Sequence, residues 1–148
     1  MLARVWSGNM KRWLALAAVV LTWTLAAHGQ ETFKTRLSPV PIDAQLAPTV
    51  TGHGSVSAVL AGTKLTVTGS FEGLHSPATA AHLHLSKVTG IRGVVIHELT
   101  VTKAMSGSLS GSADLTPTEV EALRKGMVYV QIHSEGAPDG NLWGWLLK

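Results

Sequence analysis

Among the seven histidines of this sequence, His82 and His84 stand two residues apart, in Ala80-Ala81-His82-Leu83-His84-Leu85. On a β-strand that spacing puts both imidazoles on one face, about 7 Å apart at the backbone, while Leu83 and Leu85 point the other way. From there two rings can converge on one ion with bonds of about 2 Å each. His133 repeats the arrangement in Val128-Tyr129-Val130-Gln131-Ile132-His133. Val128, Val130 and Ile132 mark the apolar face there, so His133 shares the opposite one with Tyr129 and Gln131. All three histidines are expected to face away from the core, on the outside of a sheet, and to form a three-imidazole metal site if their strands are neighbours. Such a ligand set suits copper or zinc, and copper stands above zinc in intrinsic affinity, so copper is the expected ion and zinc the second. The plainer reading is that outward histidines on strands are solvated polar residues with no ligand.

The remaining histidines carry less. His28 lies at the end of an apolar run. His53 sits between glycines in an expected loop and His75 in a turn before Pro77; each is a fourth ligand or plain surface. His97 follows three apolar residues and is expected to share a face with Val95 and Leu99 in a partly buried, structural role. Trp143-Gly144-Trp145 puts two indoles on one face of a strand. This is either packing or an exposed aromatic platform for a carbohydrate or protein partner. Nucleophilic catalysis finds no footing: cysteine is absent, and there is no Gly-x-Ser-x-Gly elbow or phosphate-binding glycine loop.

These residues need strands to hold them, and the chain supplies the pattern. Leu65, Val67, Gly69 and Phe71 alternate with Thr66, Thr68 and Ser70; Met105, Gly107, Leu109, Gly111 and Ala113 alternate with Ser106, Ser108, Ser110 and Ser112. Strands are expected over 33–37, 55–60, 64–71, 79–85, 94–101, 105–113, 127–133 and 142–147, with a hairpin at Ala61-Gly62-Thr63. Thr116-Pro117-Thr118-Glu119 is a capping box with proline at the first helical position. It predicts one short helix with Val120 and Leu123 toward the core, ended by Gly126 in a left-handed conformation. The expected fold is all-β: a Greek-key antiparallel sandwich or barrel of about eight strands with one helical turn.

The first 29 residues read differently. Arg4, Lys11 and Arg12 precede an apolar run from Trp13 to Ala27, and no acid occurs before Glu31. This is the pattern of a secretory signal peptide, and the run is short of the roughly 20 apolar residues of a membrane span. Residues 1–29 are therefore expected to be a signal peptide and 30–148 one domain, periplasmic or extracellular, with no membrane span after cleavage. The whole chain has 12 basic and 9 acidic residues, but the leader holds three of the basic ones. What remains is balanced in charge, which argues against a nucleic-acid partner.

A family resemblance covers most of the expected domain. Thr63 to Leu74, then Pro77-Ala78-Thr79-Ala80-Ala81-His82-Leu83-His84, resembles the opening of a CHRD (chordin-type) domain. Gly107 to Leu115, Gly126 to His133 and Pro138-Asp139-Gly140-Asn141-Leu142-Trp143-Gly144 resemble its later segments in order. The resemblance implies an exported module and includes His82, His84 and His133. The sequence departs from the family at Leu85-Ser86, where Gly-Pro is usual, and in a longer loop from Lys87 to Gly93. It departs again at Asn141, Trp143 and Trp145, where the family has Glu, Arg and Gln. More distantly, the His-x-His strand with a later histidine is similar to copper–zinc superoxide dismutase, which implies copper at the three positions. Three functions follow as expectations: a non-catalytic metal-binding domain, a dismutase-like copper redox enzyme, or a structural or adhesive module without metal.

Overall fold

The structure, a computed structural model, describes residues 29–148; His28 and the signal-peptide expectation before it lie outside the described residues. Eight strands and one helix follow in chain order: β1 (Glu31–Pro39), β2 (His53–Ala61), β3 (Lys64–Glu72), β4 (Ala78–Leu85), β5 (Val94–Val101), β6 (Gly107–Asp114), α1 (Pro117–Arg124), β7 (Val128–Ser134) and β8 (Ala137–Trp145). All pairings are antiparallel, and the order β1-β2-β3-β6-β5-β4-β7-β8 closes into a barrel. Two seams of the barrel are short: Ser38 and Pro39 of β1 meet β8, and Thr100 and Val101 of β5 meet β6. Between these seams lie two broad sheets, so the barrel is flattened toward a sandwich. Connections β3–β4 and β6–β7 cross over β5 and β6, or over β4 and β5, which is the Greek-key step.

Period-two alternation decides the interior. Leu65, Val67 and Phe71 are buried while Lys64, Thr66, Thr68 and Ser70 are exposed, as in a strand with one wet face. Phe33, Leu37, Leu60, Leu83, Leu109, Val130, Ile132 and Leu142 complete the main core with the helix residues Val120 and Leu123. Each fully buried side chain of this size contributes about 1.5–3 kcal/mol of transfer free energy. The capping box forms: Thr116 Oγ1 accepts from the Glu119 N–H at 3.3 Å, and Glu119 Oε2 accepts from the Thr116 N–H at 2.8 Å. Gly126 follows the helix with φ +71°, the left-handed value expected there.

Several details differ from the sequence reading. The first strand runs two residues further at each end than 33–37, because Glu31 and Thr32 pair with β2 and Ser38 and Pro39 with β8. The last strand is Ala137–Trp145 rather than 142–147, since pairing with β7 already begins at Ala137. His53 does not sit in a loop: it opens β2, where its Nε2 lies 2.9 Å from Glu72 Oε1 across the strand pair. A register shift between Leu83 and His84 moves Val95 opposite His84, whereas His97 stays opposite Leu83 and is half-buried as expected. His97 and Val95 therefore lie on different faces.

Candidate metal centre

β4 and β7 are neighbours, with His82 opposite Gln131, His84 opposite Tyr129 and Ala80 opposite His133. His133 is thus diagonal to His82 on the same face, within reach of its ring. The three imidazoles come together: one ligand nitrogen from each of His82, His84 and His133 lies within 4.8 Å of the others. His82 Nδ1 is 3.1 Å from His133 Nε2. Two nitrogens bound to one ion at about 2.0–2.1 Å stand about 3–4 Å apart, so closing this group on an ion needs only small ring rotations.

Backbone carbonyls orient two of the rings. His133 Nδ1 is 2.7 Å from Pro138 O, and His84 Nδ1 is 3.2 Å from Gly93 O. A carbonyl oxygen only accepts, so each Nδ1 carries the proton and each Nε2 keeps its lone pair. This is the arrangement that fixes a metal-binding histidine's tautomer and ring orientation. His133 Nε2 then accepts from His82 Nδ1–H. His84 Nε2 is buried and has no hydrogen-bond partner among the described residues. A buried polar atom left unpaired is costly, and here its lone pair lies within the group formed with His82 and His133.

The histidine face is not the open exterior that parity alone suggests. His84 is only 6 % exposed, Tyr129 0 % and Gln131 2 %. The parity is correct, since Leu83, Val130 and Ile132 do face the core, but a second layer covers the other side. Tyr129 stacks on His84 with centroids 4.7 Å apart and planes at 14°. Trp145 and Trp143 lie against Tyr129 at 4.5 and 5.7 Å, both half-buried, so they serve as packing here rather than as an open platform. The loop over 86–93 closes from above: Gly93 N–H donates to Tyr129 Oη at 2.9 Å, and Arg92 Nη1 donates to Asp139 O. Gln131 Nε2 donates to the same carbonyl at 3.2 Å.

Sequence reasoning missed this layer: Tyr129, Arg92, Gly93 and Trp145. Part of its signal was present in the departures from the family pattern, since the longer loop closes over His84 and the two tryptophans pack behind Tyr129, which stacks on it. The layer has electrostatic consequences. Burial, above all, lowers the His84 pKa from its ordinary value; the Gly93 carbonyl opposes this, and His133, His82 and Arg92 add to it. His82 is lowered too, first by burial and then by His133, with Glu98 opposing. Both rings are therefore held neutral, the form that binds metal. The other sequence candidates stay apart from the site: His53 pairs with Glu72, and His75 Nδ1 donates to Pro48 O at 2.6 Å.

Comparison with known proteins adds the family. The CHRD domain model matches residues 33–146, nearly all of the described chain, and the protein belongs to the CHRD domain family. No curated protein and no solved structure matches. The similarity to copper–zinc superoxide dismutase is accordingly not borne out.

Proposed function

We propose that this protein is an exported CHRD-domain metal-binding protein that holds one divalent ion, copper by preference over zinc, on His82, His84 and His133. The observation that carries the reading is the buried, unpartnered Nε2 of His84 beside two further imidazoles, in a group whose Nδ1 protons are tied to Gly93 and Pro138 carbonyls. Three imidazoles form a borderline-soft set for which copper has the higher intrinsic affinity. The reading is of binding rather than turnover: Tyr129 lies flat on His84 and loop 86–93 closes over it. Approach is from the His82 side, where a cleft of about 260 Å³ is lined by Glu98, Thr100 and Lys103. Export rests on the basic flank and short apolar run before Glu31. No helix among the described residues is long and apolar enough to cross a membrane.

The test is a calorimetric copper titration of untagged protein recovered from the exported fraction. One equivalent should bind, and alanine at any of the three histidines should weaken binding by more than about a hundredfold, beyond the effect of losing an outer partner. Alanine at His53 or His75 should leave it unchanged. Equal copper binding by wild type and the triple variant would remove the site and leave a structural module.

A further inference from the structure

A cavity larger than the cleft beside His82 lies away from the histidines. It has a volume of about 860 Å³ and lies at one mouth of the barrel, between α1 and the loop that joins β4 to β5. Leu85, Val88, Ile91, Val94, Ala122 and Met127 supply its apolar wall, and Thr118 stands at its rim. This size and lining are those of a small-molecule site, and the mouth of a β-barrel is a recurrent place for one. The apolar surface continues outward: Val88, Ile91 and Val94 are 54–68 % exposed, three large aliphatic side chains within seven residues. Monomeric proteins rarely leave such a patch open without a use for it.

Charge selects the occupant. Two cations, Lys87 and Arg92, line the cavity and no acid does. Lys87 is exposed and has no ion-pair partner among the described residues. Arg92 spends one donor on Asp139 O and keeps the others of its guanidinium. We propose that this mouth binds a single-chain anionic amphiphile, its acyl chain among Leu85, Ile91, Val94 and Met127 and its carboxylate on Lys87 and Arg92. Aliphatic walls without aromatic rings suit a flexible chain, and the two cations of the lining favour an anionic head group at its end. The loop over 86–93 lines this cavity and also covers His84, so the test is run on metal-free protein, where bound copper plays no part.

Calorimetry with dodecanoate below its micellar concentration, in excess chelator, reads the proposal directly. Saturable one-to-one binding is expected. Thr118→Trp, which fills the mouth from an exposed rim position, should abolish it, and Ile91→Asp, also exposed, should do the same. Lys87→Glu should weaken dodecanoate by about tenfold or more while leaving the neutral dodecanol within about twofold. Circular dichroism identical to wild type establishes that each variant is folded. The proposal is overturned if dodecanoate does not saturate, if folded Thr118→Trp and Ile91→Asp bind as wild type does, or if Lys87→Glu affects both ligands alike. Sedimentation with phosphatidylglycerol vesicles in the absence of dodecanoate binding would likewise overturn it, making the exposed aliphatics a membrane-docking patch instead.

Discussion

His84 shows how much one side chain depends on its cover. Its Nδ1 is satisfied by Gly93, its ring by Tyr129, and its Nε2 by nothing among the described residues. The same burial that leaves Nε2 unpaired lowers the pKa of His84, and that of His82 beside it. The consequence for stability has a definite sign. Above about pH 6.5, the ordinary histidine value, these rings are neutral both folded and unfolded and stability is flat. Below it the unfolded chain takes up protons that the folded rings resist, so stability falls with pH until the folded pKa values are passed. Urea unfolding of metal-free protein should show midpoints that drop from pH 7.5 to about pH 5. His84→Ala should lower the midpoint at pH 7.5, since it opens a gap against Tyr129, and should flatten the slope below about pH 6.5. An unchanged slope would mean that burial of this ring is not what holds it neutral.

At the scale of elements, the strands were largely legible because alternation is a local signal. Leu65 to Phe71 and Leu109 to Ala113 announce their buried faces without help from the rest of the chain. The capping box at Thr116 and Glu119 and the left-handed Gly126 were equally readable, since each rests on residues within one turn. Parity also placed the three histidines correctly on one face. What alternation cannot convey is whether that face is wet. Loop 86–93 and the start of β8 fold over it through long-range contacts, Gly93 to Tyr129 and Arg92 to Asp139, which no local pattern encodes. The same is true of the bulge at Ile96 of β5 that moved Val95 away from the face of His97. Gly140 reports how close this cover lies: it has φ +129°, and a Cβ there would run into the Gln131 amide. Gly140→Ala should therefore cost more than about 1 kcal/mol in urea unfolding, because neither the backbone conformation nor the space admits a side chain. It should also weaken copper binding, since Pro138, two residues before it, holds the His133 ring. A variant with wild-type stability and copper affinity would show that this segment does not brace the site.

For the whole molecule, the barrel supplies rigidity and the outer layer supplies the environment. Glu31, whose carboxyl is pulled down to about 2 by hydrogen bonds to Arg124 and Lys148, links the start of β1 to the end of α1 and to the last residue. It joins chain segments distant in sequence, near where the bridge between Lys34 and Leu147 extends the β1–β8 seam. The site lies on β4 and β7, which pair along most of their length in the same sheet as β8. Copper binding at these strands is the central claim. It is tested most directly by crystals of the copper-loaded protein measured with X-rays at the copper absorption edge. One anomalous peak is predicted, within about 2–2.2 Å of His84 Nε2, His133 Nε2 and a ring nitrogen of His82. No peak in crystals grown with equimolar copper, or a peak at His53 or His75 with the three rings undisturbed, would contradict it.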